Sequence, residues 1–176
     1  AAFSQRENEH FLSAAQFAME NDIELFLSIY QSGGMSVYGN IHSLKGMSVC
    51  QMVHTMLKKK KIINIGILGS KITGGTFVNV FANDFLFSES SKNSNQLFSG
   101  KRVSASVRSS DNTEMPPDFG EGAFLEKHGM IDGCFSSRLE VKTKIVALTK
   151  VLLKKAEAQA NNESNVTVDQ SLQSVS

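Results

Sequence analysis

Two apolar segments of this sequence each end near a pair of adjacent glycines, Gly33-Gly34 and Gly74-Gly75. The segments, residues 23–29 and 62–68, are short and nearly unbroken in their apolar character, which is typical of parallel strands covered on both faces. Because glycine has no Cβ, the chain can turn sharply at each pair, and a ligand can approach the backbone N–H groups closely. The pairs therefore predict sharp turns at equivalent ends of consecutive strands.

Helical and extended segments alternate along the chain, which predicts an α/β fold with parallel strands and right-handed connections. Residues 69–75 are predicted to be a turn and residues 109–122 to be irregular. The predicted helices cover residues 6–20, 41–59, 76–83, 123–128 and 138–158, with a further helix after Gly100, and the predicted strands cover residues 23–29, 62–68, 85–87 and 97–98.

Apolar spacing also predicts which helix faces point inward. The predicted inward residues are Leu44, Met47, Val49, Met52, Val53 and Met56 in one helix, and Leu139, Val141, Ile145, Leu148, Val151 and Leu152 in the last. We expect one domain over residues 1–160. Residues 161–176 read as a polar tail that is flexible or bound by a partner.

Composition excludes several classes of function. Lys and Arg total 18 against 17 for Asp and Glu, whereas a general nucleic-acid binder would carry a basic excess. No apolar run approaches the roughly 18 residues that a membrane helix needs, so we expect no membrane insertion. The isolated Cys50 and Cys134 predict packed thiols in a reducing compartment, and the four histidines lack metal-ligand spacing, so we expect no metal in this chain.

A glycine pair between a strand and a helix has a possible chemical use. The helix that follows adds the positive end of its dipole to the exposed N–H groups. Two such groups can hold a thioester oxygen while it becomes an enolate. Glycine turns are also common as purely structural features, and the residues alone leave that alternative open.

Four short blocks in order carry a resemblance to a known family. Residues 32–34 read Ser-Gly-Gly, residues 73–75 Thr-Gly-Gly, residues 98–103 Phe-Ser-Gly-Lys-Arg-Val, and residues 124–132 Phe-Leu-Glu-Lys-His-Gly-Met-Ile-Asp. Together they resemble the carboxyltransferase β subunit of acetyl-CoA carboxylase in its plastid form. The resemblance covers roughly residues 9–153 and corresponds to the C-terminal half of that subunit.

The resemblance implies a crotonase-type fold, a spiral of ββα units with a mostly parallel sheet, present here as a partial domain. It implies transfer of a carboxyl group from carboxybiotin to acetyl-CoA, which gives malonyl-CoA for fatty acid synthesis. The implied partners are a carboxyltransferase α subunit, an N-terminal half supplied elsewhere and a biotin carrier protein, in an obligate hetero-oligomer. The implied location is the plastid stroma, with another organelle matrix or the bacterial cytoplasm as alternatives.

The resemblance also implies roles for particular residues. Gly74 and Gly75 correspond to the pair of oxyanion donors, the catalytic groups of the family. Gly33 and Gly34 correspond to backbone that lies along the CoA. Lys101 and Arg102 are expected at the rim of the site, where they could meet a CoA phosphate, although they could also simply flank a helix start.

Departures from the family pattern support an alternative function. Met35 and Ser36 stand where the family has Ala-Arg, and Phe77 replaces a small residue after the second turn. The family's four-cysteine zinc ribbon is absent. The chain could therefore be a catalytically degenerate structural subunit of a large organellar complex. A hydratase or a Clp-protease-like chain would need a Glu pair or a Ser-His pair near the turns, and the sequence shows neither.

Overall fold

This computed structural model describes residues 3–89, 92–110 and 114–153. The first helix, α1 (Gln5–Glu20), begins with a capping box. The Ser4 hydroxyl accepts the Arg6 N–H at 3.3 Å, and the Glu7 carboxylate accepts the Ser4 N–H at 2.9 Å. These bonds satisfy N–H groups that a helix start leaves without partners, and the acidic residue suits the positive end of the helix dipole. The predicted first helix is confirmed.

The remaining elements alternate between strands and helices. They are β1 (Leu25–Ser32), a 3-10 turn (Val37–Gly39), α2 (Asn40–Lys59), β2 (Ile63–Thr73), α3 (Gly75–Asn79), a second 3-10 turn (Val80–Ala82), β3 (Phe85–Ser88), β4 (Asn95–Leu97), α4 (Lys101–Ser110), α5 (Gly122–Lys127) and β5 (Gly133–Cys134). Residues 138–153 are helical and are called α6.

The strands form one sheet in the order β1-β2-β3-β5, and every pair runs parallel. The long strand β2 pairs with β3 through its first half, and its last residues pair with β4. The predicted α/β fold with parallel strands is therefore confirmed. Because parallel strands end at the same edge of the sheet, the residues that follow β1, β2 and β4 are close together.

An irregularity between β1 and β2 aligns the ends of these two strands. Tyr30 pairs with Leu68, but Ser32 pairs with Ile72. Between these pairs β1 has one residue, whereas β2 has the three residues 69–71. Such a bulge is a local insertion that re-aims the strand end. It brings the end of β1 level with the end of β2, so that the residues after Ser32 lie beside those after Ile72.

Two apolar clusters hold the elements of residues 1–138 together. The first joins α1 and α2 to the start of the sheet, and the second joins the sheet to α3 and α5. The first contains Ala15, Ala18, Val53, Leu57 and Ile62, and the second contains Leu68, Ile72, Phe77, Val80, Leu86, Leu125 and Ile131. Burial of each large apolar side chain contributes about 1.5–3 kcal/mol, so these clusters supply the main stabilisation.

Two predictions about the strands are wrong. The turn predicted for residues 69–75 is strand as far as Thr73, because β4 provides a hydrogen-bonding partner that local sequence does not show. The expectation that both faces of the first strand are covered also fails, since Leu27 is 44% and Ile29 69% exposed. The reason is that burial alternates along β1, so that among the described residues only the face of Ser28 and Ser32 is covered. In the described part of the chain this strand pairs with β2 alone and also lies at the sheet edge.

The predicted helix faces need correction as well. Leu44 and Met52 are exposed, because α2 buries the stripe that contains Gly46, Cys50 and Val53 instead. In α6, Leu139 and Val151 are exposed rather than inward. The helix predicted for residues 76–83 divides into the short α3 and the second 3-10 turn, consistent with its β-branched and aromatic residues being poor helix formers.

Other predicted segments lie partly or wholly outside the described residues. Helix α4 extends to Ser110, into the segment predicted to be irregular, and residues 114–121 contain turns. The polar tail, residues 161–176, and the predicted end of the last helix, residues 154–158, lie outside the described residues. The chain divides into two compact units, Ala1–Arg138 and Leu139–Ser176. No described helix has the length and apolar character that crossing a membrane requires.

Candidate active site

The structure brings the two glycine pairs together. Gly34 and Gly74 have φ angles of 113° and 65°, which L side chains rarely adopt. A Cβ built on Gly74 would lie 3.4 Å from the Gly34 Cα atom, and one built on Gly34 would lie 3.5 Å from the Thr73 carbonyl oxygen. The backbones of the two turns are therefore in van der Waals contact at the carboxyl ends of β1 and β2.

The N–H of Gly74 is engaged within the protein. It donates to the Phe98 carbonyl oxygen at 2.8 Å and to the Leu97 carbonyl oxygen at 3.2 Å. These bonds fasten the end of β4 to the second turn and bring the start of α4 beside it. Gly74 is predicted to be one of two oxyanion donors. It provides the sharp turn, but its N–H is already bonded within the protein in this structure.

The N–H groups of the second turn that have no acceptor among the described residues, called open N–H groups below, follow Gly74. Gly75 is the first residue of α3, and the described part of the chain contains no acceptor for the N–H of Gly75 or of Thr76. The next N–H, that of Phe77, donates to the Gly74 carbonyl oxygen at 3.0 Å. Two adjacent N–H groups at a helix start are the arrangement that favours a negatively charged oxygen.

Two methionines cover the Gly75 end of this turn. A Cβ built on Gly75 would lie 2.6 Å from the Met47 sulfur and 2.9 Å from the Met35 Cγ atom. Both side chains are half-buried, and Gly75 itself is buried. Methionine is unbranched and adaptable, so this cover can change shape more readily than a cover of branched side chains.

The first glycine pair differs from the second in how its donors are used. The Gly34 N–H donates to the Ser32 hydroxyl at 3.1 Å, and the Gly34 carbonyl oxygen accepts the Phe3 N–H at 2.7 Å. Gly33 is exposed. The backbone at Gly34 is therefore held by internal bonds, and Gly33 is the member of the pair that faces outward.

Lys101 and Arg102 form the first turn of α4, directly after the segment that binds Gly74. Lys101 is half-buried and Arg102 is exposed. Within residues 3–89, 92–110 and 114–153, neither side chain has a hydrogen bond or an ion pair. A cation at a helix N-terminus opposes the helix dipole, so helix stability does not explain this pair.

Buried ionisable groups near the turns are neutral at pH 7. The His54 ring packs 5.3 Å from the Phe11 ring, its Nε2 atom lies 3.4 Å from the Tyr30 hydroxyl, and burial lowers the pKa of His54 to about 4. Burial raises the pKa of Cys50 to about 11. A neutral imidazole and a protonated thiol serve packing. In the described part of the chain, no group of three or more His, Cys, Asp or Glu residues could hold a metal ion.

Sequence reasoning missed the polar residues that shape the site. Gln96 is fully buried, and its amide nitrogen donates to the Gly69 carbonyl oxygen and to the Ser88 hydroxyl, both at 2.8 Å. Ser32 and Thr76 are also buried and joined by a hydrogen bond of 3.3 Å. No local pattern separates these residues from those of a polar loop, because their partners are distant in the sequence.

The parallel sheet with glycine turns at its carboxyl edge agrees with the predicted crotonase-type fold, and similarity to solved structures confirms that fold. The chain superposes on transcarboxylase 12S with methylmalonyl-coenzyme A bound, with a TM-score of 0.63 and 19% identity, over 77% of this chain and 26% of that one. It also superposes on a Pseudomonas malonate decarboxylase hetero-tetramer in complex with coenzyme A, with a TM-score of 0.67 and 15% identity, over 87% and 67% of the two chains.

Sequence comparison confirms the resemblance to the carboxyltransferase β subunit of acetyl-CoA carboxylase. The subunit of Pelagibacter ubique is 29% identical over 164 residues, 93% of this chain and 51% of that protein. The chloroplastic subunit of Cyanidium caldarium is 28% identical over 125 residues, 70% of this chain and 45% of that protein. The chain thus spans about half the length of these relatives, which fits a C-terminal half. No family model matches the sequence.

Proposed function

We propose that this chain is the C-terminal part of an acetyl-CoA carboxylase carboxyltransferase β subunit, which transfers a carboxyl group from carboxybiotin to acetyl-CoA. The observation that carries the proposal is the open N–H of Gly75, placed at the contact between the two glycine turns. Similarity to named β subunits, bacterial and chloroplastic, supports the same reading.

The proposed reaction balances without a metal or an oxidant. The methyl group of acetyl-CoA gives up a proton, its carbon forms a bond to the carboxyl carbon, and the bond from that carbon to the biotin ureido nitrogen breaks. The proton ends on that nitrogen. Negative charge develops on the thioester oxygen, where the Gly75 N–H donates, and loss of one such donor costs about 2.7–4 kcal/mol of transition-state stabilisation. Gly74, whose own N–H is bonded to Phe98, has the proposed role of shaping the turn that presents the Gly75 N–H.

The remaining site residues have proposed roles in holding CoA. Gly33 and Gly34 form a turn without side chains, along which we propose that CoA lies, with the exposed Gly33 on the outward side. Lys101 and Arg102 have charges that no described residue neutralises, at the edge where the turns meet. Phosphate groups of CoA supply the matching negative charge.

The proposal requires partners. Because the relatives are named as subunits of acetyl-CoA carboxylase, the proposed partners in a hetero-oligomer are an α subunit, a biotin carrier protein and an N-terminal half of the β subunit. One relative is chloroplastic and one is bacterial. The plastid stroma is the proposed location, and fatty acid synthesis is the proposed use of the malonyl-CoA.

One observation favours a second candidate, a structural subunit descended from this family. The Gly74 N–H is already bonded to Phe98, and Gly75 lies beneath Met35 and Met47. A subunit retained for its shape within a large organellar complex needs no open donor. The two candidates differ in whether the Gly75 N–H matters to turnover.

Two substitutions of Gly75 test this, one that keeps the backbone N–H and one that removes it. Gly75→Ala and Gly75→Pro both add a Cβ that meets the two methionines, but proline alone removes the N–H, and proline is tolerated at the first position of a helix. In the purified complex that contains this chain, we expect kcat for malonyl-CoA formation to be about 100-fold to 1000-fold lower for proline than for alanine.

Gly100→Ala is the matched control, because a Cβ at Gly100 has nothing within 4 Å. It should retain wild-type kcat, and the thermal unfolding midpoint should show that all three variants are folded. Equal turnover by the proline and alanine variants would reject the oxyanion role of Gly75. A folded wild-type complex that forms no malonyl-CoA would favour the structural subunit.

A further inference from the structure

The Ser32 hydroxyl lies at the junction of the two glycine turns. Ser32 is the last residue of β1 and is 5% exposed. Its hydroxyl accepts the Gly34 N–H at 3.1 Å and donates to the Gly34 carbonyl oxygen at 3.1 Å. It also accepts the Thr76 hydroxyl at 3.3 Å. A serine hydroxyl has one donor and two acceptor positions, and here all three are used.

Thr76 connects the Ser32 hydroxyl to Gly75, whose N–H has no acceptor among the described residues. Thr76 follows Gly75 in α3 and is 3% exposed. Its hydroxyl lies 3.9 Å from the Met35 sulfur, so the side chain stays within the buried contact between the turns. The bond from Thr76 to Ser32 therefore holds the first turn of α3 against the end of β1. Apart from it, the described residues show no side-chain hydrogen bond between a residue of 32–34 and one of 73–76.

The bulge between β1 and β2 makes this bond possible. It places Ser32 opposite Ile72. If the pairing that joins Tyr30 to Leu68 continued regularly, Ser32 would face Ser70 instead, and its hydroxyl would lie before the turn rather than beside it. The register shift between β1 and β2 and the bond between the Ser32 and Thr76 hydroxyls therefore both hold Gly34 close to Gly74.

We propose that Ser32 is a positioning residue, which acts through Thr76 to orient the Gly75 N–H. This inference rests on the proposed function for its kinetic consequence, but the orientation of the amide can be measured without turnover. A small displacement of a catalytic donor lowers turnover strongly, because the donor must meet the oxygen on which charge develops.

The amide resonance of Gly75 in the ¹⁵N-labelled full chain tests the orientation. Ser32→Ala and Thr76→Val each remove one partner of the hydrogen bond, so both should shift this resonance, and the double variant should shift it no further. Ser43→Ala is the control, since Ser43 is a buried serine of α2 whose hydroxyl has no partner among the described residues. A Gly75 resonance that stays in place in Ser32→Ala would overturn the proposal.

Kinetics test the consequence. In the complex, Ser32→Ala and Thr76→Val should each lower kcat about tenfold, with KM for acetyl-CoA nearly unchanged, and the double variant should lose no more than either. Thr76→Ser keeps the hydroxyl and should restore most of kcat. Wild-type kcat in Ser32→Ala, or losses that multiply in the double variant, would overturn the positioning role. An inactive wild type would instead reject the proposed function, while the Gly75 amide resonance would still show whether Ser32 orients the Gly75 N–H.

Discussion

His54 shows how burial alone sets the behaviour of a single residue. Its ring is buried between α1 and β1, against Phe11 and Tyr30, and burial lowers its pKa from 6.5 to about 4. The unfolded chain therefore takes up the proton at a higher pH than the folded chain. The resulting stabilisation of the fold is complete above about pH 6.5 and is lost as the pH falls towards 4.

We expect wild-type protein to lose about 2 kcal/mol of unfolding free energy between pH 7 and pH 5 through this residue. His54→Leu should remove that part of the pH dependence, because leucine cannot take up a proton. Urea unfolding at both pH values measures it. His42→Gln, at an exposed histidine of the same helix, should keep the wild-type dependence. An unchanged dependence in His54→Leu would contradict the expectation.

Strand β4 shows how one side chain can hold an element in place. The strand has only three residues and pairs with the end of β2. Gln96 at its centre reaches both Gly69 in β2 and Ser88 at the end of β3. Because these acceptors are buried, their hydrogen bonds cannot be replaced by water when the donor is lost. The position of β4 in turn places Phe98 where it binds the Gly74 N–H.

We expect Gln96→Met to destabilise the fold by about 1–3 kcal/mol, because methionine has similar length but removes the buried hydrogen bonds to the Gly69 carbonyl oxygen and the Ser88 hydroxyl. The measurement is the free energy of unfolding in urea. Gln31→Met is the matched control, since Gln31 is exposed and its hydrogen bond to Ser70 is long, at 3.4 Å. A loss no greater than that of the control would show that β4 is held by its backbone bonds instead.

At the scale of the whole molecule, strand β1 at the edge of the sheet exposes apolar side chains. Leu27 and Ile29 lie on one face of β1, and among the described residues this strand has a partner on one side only. An exposed strand edge with apolar side chains promotes association between chains. The isolated chain should therefore self-associate more readily than a monomer with a covered edge.

Ile29→Lys should reduce light scattering by the isolated chain several-fold at equal concentration, because charge on an edge strand opposes strand pairing. Leu44→Lys is the control: Leu44 is 63% exposed, close to the 69% of Ile29, but it lies on a helix, which offers no strand edge. Equal scattering by the two variants would show that the edge is not the site of association.

Much of the architecture was predictable from local patterns. The helix periodicity of α1, the apolar runs that become β1 and β2, and the glycines that follow them are properties of adjacent residues, and burial of one side of an element imposes them directly. The resemblance to the β subunit was also predictable, because its blocks are short and contiguous. That a glycine pair follows each apolar run needed no tertiary information, although the exact strand end before Gly74 did.

Only the tertiary structure decided how the turns are used. Pairing with the distant strand β4 extends β2 to Thr73, and the Phe98 carbonyl oxygen accepts the N–H of Gly74. The described residues leave one face of β1 exposed. The link between Ser32 and Thr76 likewise joins residues that no local pattern relates. Sequence determined where the chain can turn, since a residue's own backbone freedom is local. The fold determined which N–H groups stay open, since a hydrogen bond depends on what other segments bring to it.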